Sequence, residues 1–155
     1  MLRLSANNLG FLGAVALAPG LAAAGHLEEL YLSNCQLGND GVGNLVPGGQ
    51  VNSTLTRLEL GGNNIQHGVG GDNVVALAAC LINLDHLAVG GRGILDPDQQ
   101  RRLDLLLERK RLCTVAQALA GSSFSVLFQF VEEHAHGHEH GLGAIFVILQ
   151  NDGDD

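Results

Sequence analysis

Leu27, Leu30, Leu32, Cys35 and Leu37 recur as Leu55, Leu58, Leu60, Asn63 and Ile65, and again as Leu84, Leu87, Val89, Arg92 and Ile94. A headless copy opens the chain with Leu2, Leu4, Asn7 and Leu9. From Leu4 to Leu32 to Leu60 the step is identical, and from Leu60 to Val89 it is longer by a single position. A period of this length constrains the fold more than any single motif, because each copy is a strand-plus-helix unit too small to bury its own apolar residues. The copies have to stack.

Alternate residues of a strand point to opposite faces, so Leu30 and Leu32 enter the core while Glu29, Tyr31 and Ser33 point outward. The Asn that follows, replaced by Cys35 in one copy and Arg92 in another, can bond the backbone groups of the turn, so the chain leaves the strand without orphaned amides. The expected architecture is α/β: a solenoid of about four repeats, the first truncated, with parallel strands on the concave side and helices on the convex side. The repeats occupy residues 1–113. Residues 114–155 are expected to form a helical C-terminal cap with a His-rich loop and an acidic tail.

Taken in order, the first repeat passes into an Ala-rich segment, Gly13 to Ala24, which Pro19-Gly20 is expected to interrupt. In the second, a weak helix around Val42 to Val46 should stop at Pro47-Gly48-Gly49, leaving an irregular convex side. The third should carry a helix from about Asp72 to Ile82, capped by Asp72, with Val75, Leu77, Ala78 and Leu81 facing the strands. Arg92, at an inward position, is expected to turn outward and start the end of the array. Asp96-Pro97 then opens a helix with Leu103, Leu106, Leu107 and Leu112 on its apolar side, and Arg109, Lys110 and Arg111 close it.

The bulk composition excludes several roles. A net charge of −8, from 16 acidic and 8 basic residues, argues against a general affinity for phosphate backbones or anionic membranes. Neither nucleic acid nor membrane is an expected partner, and no apolar run reaches the ~18 residues needed to span a bilayer. Cys35, Cys80 and Cys113 are odd in number and lack metal-like spacing, which suits reduced thiols in the cytoplasm. Leu9 to Ala24 imitates a secretory signal, but Asn7, Leu9, Gly13 and Leu17 lie one repeat period before Cys35, Leu37, Gly41 and Leu45, which places the segment in the repeat instead. The tripeptide Asn52-Ser53-Thr54 would matter as a glycosylation sequon only if that signal were real.

With LxxLxLxxN/CxL recurring at this period, and Gly41-Val42 after Cys35-Gln36-Leu37-Gly38-Asn39-Asp40, the chain over about residues 1–95 resembles the ribonuclease-inhibitor-like class of leucine-rich repeat proteins. That class includes Ran GTPase-activating proteins and the recognition regions of intracellular immune receptors. The resemblance implies a protein partner bound along the concave face. Arg92, the missing start of the first repeat and the Gly- and Ala-rich helices depart from the class pattern.

Register fixes the candidate site. One column of outward side chains holds Glu29, Arg57 and His86; the next holds Arg3, Tyr31, Glu59 and Ala88; a third holds Ser5, Ser33, Gly61 and Gly90. Exposed Tyr and Arg are the types that most often anchor interfaces, so partner binding is assigned to Glu29, Tyr31, Ser33, Arg57, Glu59 and His86. The bland alternative is a solvated face on which Glu29 pairs with Arg57, or Tyr31 with Glu59, across strands. The glycine pairs Gly61-Gly62 and Gly90-Gly91 are expected to serve tight turns.

A different class of function is carried by His134, His136, His138 and His140, four imidazoles at alternate positions that could share one side of an extended loop and hold Zn, Ni or Cu. The chain carries no nucleophile elbow, HExxH helix, paired CxxC or phosphate-binding loop, so no enzyme activity and no cofactor are expected. The expected role is a protein-binding module. The alternatives are metal binding through the histidine loop, or a terminal fragment of a larger leucine-rich repeat protein of the Ran GTPase-activating or immune-receptor type. The first repeat brings no polar cap, and its open edge is a possible route to self-association.

Overall fold

A computed structural model describes residues 1–91 and 94–120, with side chains to residue 115. The elements alternate: β1 (Leu2–Arg3), α1 (Gly10–Ala23), β2 (Glu29–Tyr31), α2 (Gly38–Val51), β3 (Arg57–Glu59), α3 (Val69–Cys80), β4 (His86–Ala88) and α4 (Pro97–Ala120). The four strands form one parallel sheet in chain order, paired Leu2 with Leu30, Leu30 with Leu58 and Leu58 with Leu87. The chain divides into two compact units, residues 1–107 and 108–155. The strands, α1 to α3 and the first turns of α4 make the first; within the described residues the second holds the remainder of α4.

The core of the first unit is a stack of aliphatic layers. Leu30 and Leu58 from the strands, Leu32 and Leu60 just beyond them, Val42, Leu45, Val74 and Leu77 from the helices and Leu81 at the end of α3 are at most 1 % exposed. Burying each such side chain contributes ~1.5–3 kcal/mol, which supports strands of three residues that could not persist alone. Val75 and Ala78 are buried with Leu77 and Leu81, as the helical spacing requires.

Between strand and helix the repeat turns on two devices. Ala6, Asn34, Gly62 and Gly91 all hold a left-handed backbone, with φ of 60°, 56°, 71° and 79°. At Gly90, φ is 68° and a Cβ would meet the Gly61 Cα at 2.8 Å, so this glycine serves both the turn and the strand packing. The second device is Asn63. Its Oδ1 accepts the Cys35 and Leu37 N–H groups at 2.8 and 3.4 Å, and its Nδ2 donates to the Leu32 and Leu60 carbonyls at 2.7 Å each. Cys35 substitutes with a thiol that donates to the Leu4 carbonyl at 3.1 Å.

Four helix expectations are corrected. Pro47-Gly48-Gly49 does not stop α2, nor does Pro19-Gly20 interrupt α1; both helices run 14 residues with the proline inside. The glycines are there for packing: a Cβ on Gly48 would lie 2.5 Å from the Ala18 carbonyl oxygen, and one on Gly49 3.1 Å from Leu77. Tight packing between neighbouring helices outweighs the hydrogen bond that each proline removes. Repeat two thus carries a regular helix where an irregular segment was expected. In repeat three α3 starts at Val69, earlier than Asp72, with Gly68 at its N-cap and no side-chain cap bond. Asp72 lies in the first turn, where a carboxylate also favours the helix dipole. Finally, Arg109, Lys110 and Arg111 do not close α4, which continues through Cys113 to Ala120.

Asp96 does cap α4. The Gln99 N–H donates to Asp96 Oδ1 at 2.8 Å, and the Asp96 N–H donates back to Gln99 Oε1 at 3.1 Å, a capping box. Gln99 is buried, and its Nε2 donates to the Gly68 carbonyl at 2.9 Å and to Asp72 Oδ1 at 3.0 Å, so one side chain ties the starts of α3 and α4 together. Leu103 is buried at 3 % exposure, with Leu106 and Leu107 packed against the core.

Candidate functional site

The helices cover one face of the sheet and leave the other open, and the strand pairing sets what that open face displays. Glu29 lies beside Arg57, and Arg57 beside His86; Arg3 lies beside Tyr31, Tyr31 beside Glu59, and Glu59 beside Ala88. The third column also forms: the Gly61 Cβ position is 3.8 Å from Ser33 Oγ and 3.8 Å from the Gly90 Cα. Ser33 N–H donates to Ser5 Oγ at 3.2 Å, joining the start of that column. All six candidate partner-binding residues, Glu29, Tyr31, Ser33, Arg57, Glu59 and His86, are partly exposed on this face.

Their polar pairing runs along strands where sequence reading placed it across them. The Tyr31 hydroxyl donates to Glu29 Oε2 at 2.6 Å, and the Arg57 guanidinium meets Glu59 Oε1 at 3.2 Å. Residues i and i+2 share a face, and long side chains bridge that spacing. Across the strands, the Arg3 guanidinium lies 5.1 Å from the centre of the Tyr31 ring, within reach of a cation–π attraction. Tyr31 is therefore held from two sides. Its phenol is pushed above its ordinary pKa first by the hydrogen bond to Glu29, then by burial and by the negative charge of Glu29, with Arg57 acting in the opposite sense.

Beyond the end of β4 a cleft of about 670 Å³ is lined, among the described residues, by Leu87, Val89, Gly90, Gly91, Ile94, Leu95, Gln100 and Leu103. None of these described residues is an acid, a base or a nucleophile. Among the described residues, no cluster of three or more His, Cys, Asp or Glu could hold a metal ion, and no helix is long and apolar enough to cross a membrane. His134, His136, His138 and His140 lie outside the described residues, as does Arg92.

Sequence reading missed Asn52, which is 4 % exposed. Its Nδ2 donates to the Leu21 and Ala24 carbonyls at 2.9 and 3.2 Å, and its Oδ1 accepts the Thr54 and Leu55 N–H groups at 3.1 and 2.9 Å. Thr54 Oγ1 reaches the Ala24 and Leu27 carbonyls at 3.0 and 2.9 Å. The supposed sequon is a clamp between successive repeats, with its amide nitrogen fully engaged.

A family model described as "Leucine Rich repeat" matches residues 26–46 and 51–67. These segments hold β2, most of α2 and β3, and the chain thus carries leucine-rich repeats joined in a parallel α/β sheet. Such repeats are generally protein-interaction modules. No curated protein matches the chain.

Proposed function

We propose that the chain is a protein-binding module of the ribonuclease-inhibitor-like type, without catalytic activity, which takes its partner in the cytoplasm on the open, concave strand face. The observation that carries this reading is the pairing register, which gathers Arg3, Glu29, Tyr31, Arg57, Glu59 and His86 into two adjoining columns over a rigid aliphatic core. Interfaces draw most of their energy from a few Tyr, Trp and Arg anchors, and anchors already held in place lose less entropy on binding. Tyr31, fixed between Glu29 and Arg3, and Arg57, fixed by Glu59, meet both conditions. Within the two columns, two Arg offset two Glu, which favours recognition by stacking and hydrogen bonds over attraction by a net field.

The test compares proteins retained from lysate of the source cells by the wild-type chain and by a Tyr31→Ala, Arg57→Glu, Glu59→Lys variant of equal far-UV circular dichroism and melting temperature. A partner lost from the variant supports the reading. Retention of the same set by both would refute it. The alternate spacing of His134, His136, His138 and His140 favours a second reading, metal binding, for which calorimetry with Zn should show binding that Ser substitutions abolish.

A further inference from the structure

The contact between α1 and α2 is a template for a second contact at the other side of α1. A shift of one repeat period maps Gly41, Leu45 and Gly48 of α2 onto Gly13, Leu17 and Gly20 of α1, and Leu30 of β2 onto Leu2 of β1. In α2 those positions receive α1. A Cβ on Gly48 would lie 2.5 Å from the Ala18 carbonyl oxygen, one on Gly41 would lie 3.6 Å from the Ala14 Cβ, and Leu45 is 0 % exposed. In α1 the same positions are bare among the described residues. A Cβ on Gly20 would meet nothing within 4 Å, the three atoms nearest to one on Gly13 all belong to Leu9 of the preceding turn, and Leu17 is partly exposed. The strand repeats the contrast, since Leu30 is 0 % and Leu2 37 % exposed. Leu4 and Ala6 donate their N–H groups to the Tyr31 and Ser33 carbonyls, so the amides of Arg3 and Ser5 face the other edge of β1, which is free of any strand among the described residues.

Glycine inside a helix is destabilising unless a close approach of another chain requires it. From this we infer that the free edge of β1 and the bare face of α1 form a docking surface for one further strand–helix unit of the same repeat. Its strand lies parallel to β1, and its helix presents small residues, as Ala14 and Ala18 do, to Gly13 and Gly20. A two-fold pair of copies fits this surface less well. It would set groove against groove, and would pair a two-residue strand antiparallel to its mate with the two Arg3 side chains close together.

The probe is the full chain preceded by a second copy of its own residues 1–28, which keeps the repeat step and supplies the helix that packs on the equivalent face of α2. In the unextended chain, Gly20→Ala raises the melting temperature by about 1–4 °C, as for an unneeded helical glycine. In the extended chain the same substitution in the downstream copy lowers it, and the downstream Arg3 and Ser5 amides gain at least about tenfold protection from hydrogen exchange. Gly48→Ala lowers it in both backgrounds and serves as the control. The inference is overturned if Gly20→Ala is stabilising in both chains and the amides exchange as before. It is equally overturned, in favour of a second copy, if the unextended chain sediments as a dimer and Gly20→Ala already destabilises it.

Discussion

Asn63 shows how much one side chain can do when its atoms replace backbone partners. It is 1 % exposed and makes four bonds to main-chain groups of two successive repeats. Removing the amide leaves buried N–H and C=O groups without partners, at a cost of about 1–3 kcal/mol for each group that water cannot reach. Asn63→Ala should therefore lower stability by about 3 kcal/mol or more, read from the midpoint of urea unfolding. The role of Asn63 was legible because the pattern repeats it; that of Asn52 was not, because Ala24 stands one period before it and no register marks it. A tripeptide that looks like a modification signal hid a structural clamp. Tyr31, the single tyrosine, can be titrated by its own absorbance. Its ionisation should occur above the ordinary value of 10.0, and Glu29→Gln should bring it back down. The sign follows from linkage: with its pKa raised in the folded state, the phenol's contribution to stability is present below pH 10.0 and is lost as pH rises through the folded value.

For the elements, the register of the strands was readable and the ends of the helices were not. Leucine spacing reports strand register directly, since a slip of one residue would turn Leu30 and Leu58 out of the core. Helix ends, by contrast, were judged from Pro and Gly, which here answer to packing. Pro19-Gly20 and Pro47-Gly48 stand one period apart, so the repeat itself marks them as parts of one helical design. Pro47 is exposed and inside α2, where it supplies no N–H for the Gly43 carbonyl. Pro47→Ala should stabilise the chain by about 1–3 kcal/mol, measured by thermal or urea unfolding. No rise in stability would mean that α2 is held by α1 and α3 so firmly that its own hydrogen bonds are immaterial. The capping box of α4 was half read: Asp96 was assigned, while Gln99, three positions later in the recognised pattern, was passed over.

Across the described strands, periodicity gave both the sheet and the membership of each outward column, because the leucine pattern marks the register of each strand even where the last step is longer by one position. The pairing of charges within those columns was out of reach of sequence, since Glu29 has Tyr31 two positions on and Arg57 beside it on the next strand, and the choice between them depends on rotamers. Tyr31 stands at the centre of this surface and is unique in the chain, so replacement by 3-fluorotyrosine gives a single ¹⁹F resonance. Following that resonance while the retained partner is added tests the central claim directly. The account predicts a shift or loss of the signal that saturates with binding and is absent for the partner added to the Arg57→Glu, Glu59→Lys chain. A partner that binds fully while the Tyr31 resonance stays unmoved would contradict it.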